Sequence, residues 1–335
     1  MNRAMPQAPE AGRQAWSGRT RGGVFGNWVF AFLVRWVSLR TAYALLFFVA
    51  TYFVFFAPKA RRASMEFLVR AGTGETGGCR VWLKTWRHFY AFGQTLLDRT
   101  AGACGKAKRF TIALDGREHL ESVINAGQGA VIVGAHFGNW ELASSMLATL
   151  GTPLAVVAMR GELPHVQRFL DSISIVSQYQ LIEADRGEET SLAILAALRS
   201  GALVIMQGDR AVGQEQVRLP FLGRDAWFPL GPYMIAAAAG APVMHTFARR
   251  TRTFHYEFRA FPPEYPILGP RGARTGPLRE NAQRFVARLE HYARQAPCQW
   301  SNFYPFWDEA TAGGAASGAV TTQCRPVVRT EAGHE

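Results

Sequence analysis

The segment HFGNWE holds the two side chains of this sequence that are best suited to catalysis, His136 and Glu141. A histidine titrates near neutral pH and can act as a general base, and a carboxylate against its second ring nitrogen would fix the tautomer. This is the base-and-orienter part of a serine-protease triad, with a hydroxyl of the substrate in place of the enzyme serine. We therefore interpret His136 and Glu141 as a catalytic pair that activates a hydroxyl.

The spacing of this pair requires a turn between its members, because residues five apart on one helix do not face each other. The run AVIVGAH at 130–136 predicts a buried strand, and a helix is predicted from Trp140, with Gly138 and Asn139 at the turn. His136 would then lie at the carboxyl end of a strand, where ligands bind in parallel sheets, and N–H groups of the helix could stabilise an oxyanion or bind a phosphate. The alternative is a structural histidine followed by a glutamate that suits a helix N-terminus.

The elements around this turn predict an α/β fold with a mostly parallel central sheet flanked by helices. Short apolar runs predict strands, and the alternating run at 254–261 predicts a further, antiparallel strand. The predicted strands cover 130–136, 154–159, 180–184, 202–208 and 242–249. The predicted helices between and after them are Trp140 to Leu150, Pro164 to Ser174, Glu188 to Arg199, Gly231 to Ala239 and about Arg279 to Gln295.

An N-terminal membrane helix is predicted from the uncharged run Thr41 to Ala57. Seventeen residues at about 1.5 Å each reach roughly 25 Å, at the short end of a bilayer span, which Arg40 could lengthen by snorkelling. A core helix or a signal peptide are the alternatives, but no A-x-A cleavage pattern follows. The aromatic and basic segment Arg80 to Arg99 predicts either an interfacial helix or a helix packed on the main domain.

The charge of the chain is concentrated near its N-terminus. Of the net +12, residues 1–62 contribute +8, from nine basic residues and Glu10. This gradient favours contact with anionic lipid over a nucleic-acid partner. Four scattered cysteines form no metal-binding pattern and are expected to be reduced. The predicted organisation is a disordered basic leader at 1–23, a membrane anchor at 24–62, a catalytic domain at 63–308 and a disordered tail at 309–335.

The string GAHFGNWE resembles the signature of the lipid A biosynthesis acyltransferases, lauroyl/myristoyl-type enzymes of the lysophospholipid acyltransferase superfamily. The resemblance extends from the N-terminal hydrophobic helix to QWSNFYPFW near residue 307. It implies a glycerolipid acyltransferase-like fold and a motif of His, four residues, then Asp or Glu, which matches His136 and Glu141. It also implies that Pro229 and Gly231 start a helix beside the active site.

The resemblance also implies a group of substrate-binding residues. Arg160 matches a YRP-like segment and would bind a phosphate, and Arg186 matches a second basic position, although either could be a surface arginine. Asp209 and Arg210, in MQGDRAVG, follow a buried strand and point to the same edge of the sheet, where the family carries a DHD-like triplet. The ending QWSNFYPFW lacks the basic residues of the WxHRRF-like family pattern, which weakens the assignment of a phosphorylated lipid A precursor as acceptor.

The function expected from these features is transfer of a fatty acyl group from an acyl-carrier-protein or coenzyme A thioester to a hydroxyl of a membrane glycolipid. No metal or cofactor is expected. The expected location is a bacterial inner membrane, with the catalytic domain facing the cytoplasm. The alternatives are a lipid esterase or thioesterase that uses the same pair on water, and a lipid-binding protein without chemistry. No GxSxG elbow of a serine hydrolase and no FPEGTRS-like motif of glycerol-phosphate acylation is present.

Overall fold

A seven-stranded, mostly parallel sheet forms the centre of the molecule, with strand order β1-β9-β8-β2-β5-β3-β4. The structure is a computed structural model that describes residues 38–72, 78–148, 150–159, 179–210, 215–270 and 275–307. Strand β9 runs antiparallel to β8, and the other neighbours in this sheet are parallel. The α/β fold class predicted from the alternation of elements is therefore confirmed.

The strands and helices have the following bounds. The strands are β1 Thr111–Asp115, β2 Ala130–Gly134, β3 Leu154–Ala158, β4 Tyr179–Glu183, β5 Leu203–Gln207, β6 Gln216–Phe221, β7 Arg224–Pro229, β8 Val243–Arg252 and β9 His255–Ala260. The helices described are α1 Leu39–Phe56, α2 Pro58–Arg70, α3 Cys79–Ala101, α4 Arg117–Asn125, α5 Trp140–Ala148, α6 Glu188–Arg199, α7 Gly231–Ala239 and α8 Gly276–Gln295.

All six predicted strands are present, including the antiparallel one, now β9. The predicted helices from Trp140, Glu188, Gly231 and near Arg279 are also confirmed. The predicted helix Pro164 to Ser174, the leader and the tail lie outside the described residues. Sequence patterns missed β1, α2, α4 and the hairpin of β6 and β7.

Strand β2 is buried on both faces of the sheet, which explains its continuous apolar sequence. Alternate side chains point to opposite faces. Val131 and Val133 pack into a core with Phe247 and Phe285, whereas Ile132 packs into the core on the other side. Because all five residues of β2 are buried, polar side chains come only after the strand, at its carboxyl end.

Helix α1 packs against α3 and Tyr256 of β9 rather than extending away from the molecule. Among the described residues it is the one helix long and apolar enough to cross a membrane, and about a third of it is buried. By itself this is a weak sign of membrane anchoring. The segment Arg80 to Arg99 lies within α3, which packs on α1 and α2. Cys79, Cys104 and Cys298 are free thiols, as predicted for them.

Candidate active site

His136 and Asp209 come together because the strands that precede them are parallel neighbours. In the register of β2 and β5, Gly134 lies opposite Gln207, and His136 and Asp209 each follow two positions later. The His136 Nδ1 and Asp209 Oδ1 atoms are 2.8 Å apart. Since an ionised carboxylate only accepts hydrogen bonds, Nδ1 carries the proton and donates it. This tautomer leaves Nε2 of a partly exposed imidazole able to accept a proton.

Asp209 is fully buried and its negative charge is compensated on the side away from His136. The indole Nε1 of Trp300 donates a hydrogen bond of 2.8 Å to Oδ2, and Nη1 of Arg210 lies 3.1 Å from the same oxygen. Burial alone would raise the pKa of Asp209. The charges of Arg210 and His136 and the hydrogen bonds from His136 and Trp300 outweigh it and hold the pKa well below its ordinary value. Asp209 is therefore a carboxylate at neutral pH.

Arg210 links Asp209 to the C-terminal segment of the described chain. Its Nη2 donates a hydrogen bond of 2.6 Å to the carbonyl of Ser301, and its guanidinium lies 4.9 Å from the ring centroid of Tyr304. The side chain is almost completely buried. These contacts hold the guanidinium of Arg210 beside the carboxylate of Asp209. The predicted contact of Arg210 with a substrate stays a prediction.

The turn between His136 and α5 is held by backbone pairing with the same C-terminal segment. Ser301 N–H donates to the carbonyl of His136, and Gly138 N–H donates to the carbonyl of Gln299, both at 2.8 Å. Gly138 has a φ of +60°, and a Cβ atom built on it would lie 1.6 Å from the carbonyl oxygen of Ala248. Only glycine fits this position. The predicted turn at Gly138 and Asn139 is thus present.

Asn139 and Glu141 fix the start of α5 against α3. Asn139 Oδ1 accepts a hydrogen bond from Leu142 N–H, and its Nδ2 donates to the carbonyl of Thr95. Glu141 is buried, and its carboxylate forms an ion pair with Arg99, with Nε 3.1 Å from Oε2 and Nη1 3.2 Å from Oε1. The HxxxxE spacing gave no sign of this arginine. The predicted direct pairing of Glu141 with His136 stays a prediction.

Trp300 is a second site residue that the sequence patterns did not reveal, although QWSNFYPFW was noted because it lacks the basic residues of the family pattern. It is fully buried between Phe67 and Phe221, with ring centroids at 4.9 and 5.2 Å. His88 Nε2 donates a hydrogen bond of 2.8 Å to the carbonyl of Trp300, and Ser64 supplies the hydroxyl proton to Nδ1 at 2.7 Å. Trp300 packs among aromatic rings and also donates a hydrogen bond to Asp209. No periodic pattern in the sequence indicates this second contact.

The remaining predicted arginines lie elsewhere. Arg186 is exposed, beyond β4 at the edge of the sheet, and pairs locally with Glu183 and Glu189 at 2.6 and 3.4 Å. Three strand spacings separate β4 from β2, about 14 Å. Arg160 lies outside the described residues. Substrate contact by either arginine stays a prediction.

A small cavity of about 10 Å³ lies near the carboxyl end of β2, lined mainly by apolar side chains together with Ser144, Gln207 and Thr246. This volume accommodates about one water molecule. It is too small for a substrate.

The part of the chain that matches a known protein family includes most of the residues that form this site. The sequence model of the bacterial lipid A biosynthesis acyltransferases matches residues 102–309, well over half of the chain. This chain belongs to that family. The matched region includes His136, Glu141, Asp209 and Trp300, whereas α1, α2 and α3 precede it.

Two curated relatives carry a more specific name. The phosphatidylinositol mannoside acyltransferase of Mycobacterium tuberculosis (strain ATCC 25618 / H37Rv) is 25% identical over 204 residues, which cover 60% of this chain and 61% of that protein. The protein of the same name from Mycolicibacterium smegmatis is 26% identical over 193 residues, or 57% of this chain and 60% of that protein. The chain thus matches about three fifths of the length of these relatives.

Proposed function

We propose that this chain is an acyltransferase that moves a fatty acyl group from a thioester of acyl-carrier-protein or coenzyme A to a hydroxyl of a membrane glycolipid. The observation that carries the proposal is the 2.8 Å hydrogen bond between His136 Nδ1 and Asp209, which leaves Nε2 as a proton acceptor. The family supports acyl transfer to a lipid. The family description names lipid A, and the relatives' names contain phosphatidylinositol mannoside, so a glycolipid acceptor is common to both.

In the proposed reaction, His136 Nε2 takes the proton of the acceptor hydroxyl while its oxygen attacks the carbonyl carbon of the thioester. A tetrahedral intermediate forms and collapses, which breaks the carbon–sulfur bond and makes the new ester. The imidazolium then returns its proton to the leaving thiolate, so that protons balance. Asp209 stabilises the imidazolium, and Arg210 and Trp300 keep Asp209 ionised and oriented.

The start of α5 is suited to the oxyanion of this intermediate. The helix begins at Trp140, four residues after His136, and the partial positive charge of a helix N-terminus stabilises negative charge close to it. We propose that Gly138 and Asn139 hold this helix end in place and that Glu141 acts with Arg99 in fixing it. Arg160 remains our candidate for docking a phosphate of donor or acceptor, with Arg186 and Arg210 as further candidates.

The proposed location is a bacterial inner membrane, with the catalytic part at residues 63–308 and facing the cytoplasm. Acyl-carrier-protein and coenzyme A thioesters are soluble donors, whereas a glycolipid acceptor stays in the bilayer. The enzyme must therefore work at the boundary between the two.

The test is mass spectrometry of lipids from cells that contain the wild-type chain, His136→Ala or no chain at all. The proposal predicts a lipid whose mass exceeds that of its precursor by one acyl group, present with the wild type only. That mass difference identifies the acyl chain, and the mass of the precursor separates a lipid A precursor from a mannosylated phosphatidylinositol. Free fatty acid without an acylated lipid would show that the pair activates water instead, and an acylated lipid that persists with His136→Ala would overturn the mechanism.

A further inference from the structure

Helix α1 has two different apolar faces. One face packs on the rest of the chain through residues at helical spacing, among them Leu39, Ala42, Leu46, Ala50 and Val54. The opposite face exposes large side chains to between 41% and 69%, and it continues on α3 with Trp82 and Leu83 at 37% and 50%. We call this second surface the aromatic face: Leu45, Phe48, Tyr52, Phe55, Phe56, Trp82 and Leu83. Contiguous exposed patches of this kind mark interaction sites.

Helix α3 holds α1 along its whole length. Near the start of α1, Tyr43 donates a hydrogen bond to the buried Asp98. Towards its end, the indole Nε1 of Trp86 donates a hydrogen bond of 3.0 Å to the hydroxyl of Thr51. Between these points Leu46 sits against Gly93, where a Cβ atom would come within 2.4 Å of Leu46 Cδ1. The two helices therefore move as one unit.

Helix α3 is unsuited to the hydrocarbon of a bilayer. Its 23 residues include five charged side chains, and Arg99 is tied to the active site through Glu141. Charged groups at the centre of a membrane are costly and rare. An α1 that crossed the bilayer would carry α3 with it. We infer that α1 lies along the membrane surface and that the aromatic face docks the protein on a bilayer that contains anionic lipids, without spanning it.

The charges around the aromatic face fit anionic head groups. The described residues Ser38–Arg70 and Gly78–Ala101 contain nine basic residues and two acidic ones. One acid, Glu66, pairs with Arg70, and the other, Asp98, is buried. Exposed basic residues lie at both ends of α1, and Arg61 lies 4.8 Å above the ring of Trp82. Aromatic and aliphatic side chains rimmed by Lys and Arg are typical of surfaces that bind a lipid interface.

This docking surface stands independently of the proposed reaction, but it bears on how a lipid reaches the site. The catalytic turn contacts the C-terminal end of α3 through Thr95 and Arg99, and the aromatic face includes Trp82 near its other end. Seventeen residues of helix correspond to about 25 Å. The site is thus held beside the membrane surface, at a fixed distance from the docked face.

Cysteine labelling distinguishes a docked helix from a spanning one. In the full-length chain with its four cysteines replaced by serine, Arg40→Cys and Lys59→Cys place thiols at the two ends of α1. Each variant is treated with a membrane-impermeant maleimide in intact spheroplasts and in inside-out vesicles. The inference predicts that both positions react from the same side of the membrane. Reaction of the two positions from opposite sides would overturn it, because a spanning helix places its ends on opposite sides.

Flotation with vesicles tests the face itself. The purified triple variant F48E/Y52E/F55E is compared with L192E/I267E/L268E, which places three charges on exposed apolar side chains elsewhere. With vesicles of phosphatidylglycerol and phosphatidylcholine, we expect the bound fraction of the first variant to fall at least tenfold and that of the control to stay at the wild-type level. Wild-type binding is expected to weaken at high salt and with phosphatidylcholine alone.

The thermal midpoint of the same variants distinguishes two possible occupants of the aromatic face, a lipid and another segment of this chain. A lipid occupant predicts that F48E/Y52E/F55E keeps the wild-type midpoint in detergent and loses flotation. A segment of this chain that covers the face, such as residues 24–37, predicts a lower midpoint with flotation retained, and that result would overturn the inference. If the triple variant does not fold, the labelling of Arg40→Cys and Lys59→Cys still decides the matter.

Discussion

The carboxylate of Asp209 receives donors at both of its oxygens. His136 binds Oδ1, and Trp300 and Arg210 share Oδ2, so the charge is balanced within a fully buried site. Such an arrangement holds the imidazole in one orientation and one tautomer before the substrate arrives. We therefore propose that the side chains around Asp209 act on the reaction through His136 and not through contact with the substrate.

Replacing Asp209 with Asn tests the orienting role. The amide cannot carry the charge that stabilises an imidazolium, so we expect kcat to fall about 10²-fold to 10⁴-fold. The acyl-donor KM should change little. Steady-state kinetics with the acceptor identified by mass spectrometry provide the measurement. Glu141→Gln is the companion variant: if the direct pair expected from the HxxxxE spacing carried the reaction, Glu141→Gln would reduce kcat as severely and Asp209→Asn would leave it near wild type.

Trp300→Phe removes the hydrogen bond to Asp209 and keeps an aromatic ring in the same pocket. We expect a loss of about 1.5–3 kcal/mol in the free energy of unfolding, because a hydrogen bond to a charged group is lost. A roughly tenfold lower kcat at similar KM should accompany it. The matched control is Trp307→Phe, since the Nε1 of Trp307 donates to the carbonyl of Phe221 at 3.2 Å. An equal drop of kcat in both variants would assign Trp300 a structural role only.

The turn between β2 and α5 is the element that presents His136. Its backbone pairs with residues 299–301, and its glycine passes directly beside β8. These backbone contacts fix the position of the turn, and with it the position of His136. The turn and the C-terminal segment form one unit, and disturbing either should disturb the site.

Gly138→Ala should destabilise the fold by about 3 kcal/mol or more, because the new Cβ overlaps the carbonyl of Ala248 and the backbone has a positive φ. Gly223→Ala is the control. That glycine has a φ of +80° with nothing within 4 Å of the added atom, so its cost is conformational, about 1 kcal/mol. Denaturant unfolding of both variants provides the comparison. Equal costs would contradict the close approach at Gly138.

Local sequence patterns were sufficient for the buried strands and the longer helices, because continuous apolar runs and helical periods leave few alternatives. They failed for α4, where nine residues bury only Leu120 and Val123, and for the β6–β7 hairpin. The hairpin turns at Leu222 and Gly223, both with positive φ, and a leucine there gives no turn signal. Tertiary packing, and not the local sequence, sets these elements.

The same limit applies to the site. His136 and the turn were predictable because they are adjacent in sequence. Asp209 and Arg210 were placed near the site from the strand before them, but the bond from Asp209 to His136 depends on which strands are neighbours. Arg99 and Trp300 come from a helix and a terminal segment, and no local pattern links them to a strand end. Contacts between residues that are distant in the sequence can be identified only once the three-dimensional structure is known.

The whole molecule should lose stability as the pH falls from about 7 to 5. Burial lowers the pKa of His88 to about 4 and that of His245 to about 3, so the unfolded chain takes up these protons first. The stability that these two neutral histidines contribute is fully present above the ordinary histidine pKa of 6.5 and decreases as the pH falls below it. Asp98 opposes the change, because burial raises its pKa to about 6.

His88→Asn isolates one part of this dependence. Between pH 6.5 and 5, the lowered pKa of His88 reduces the free energy of unfolding by about 2 kcal/mol, because only the unfolded chain binds this proton. The difference in the free energy of unfolding between pH 7 and 5 should therefore be about 2 kcal/mol smaller in the variant than in the wild type. Denaturant titrations at the two pH values measure it. An unchanged pH dependence would show that His88 is not held neutral between Ser64 and Trp300.

The most direct test of the account is a double-mutant cycle on the central pair. His136→Ala, Asp209→Ala and the double variant are assayed for transfer, with circular dichroism as the check on folding. Because Asp209 is proposed to act only through His136, the double variant should be no slower than His136→Ala, which should itself lose at least about 10³-fold in kcat. Losses that multiply in the double variant, or transfer that survives His136→Ala, would contradict the account.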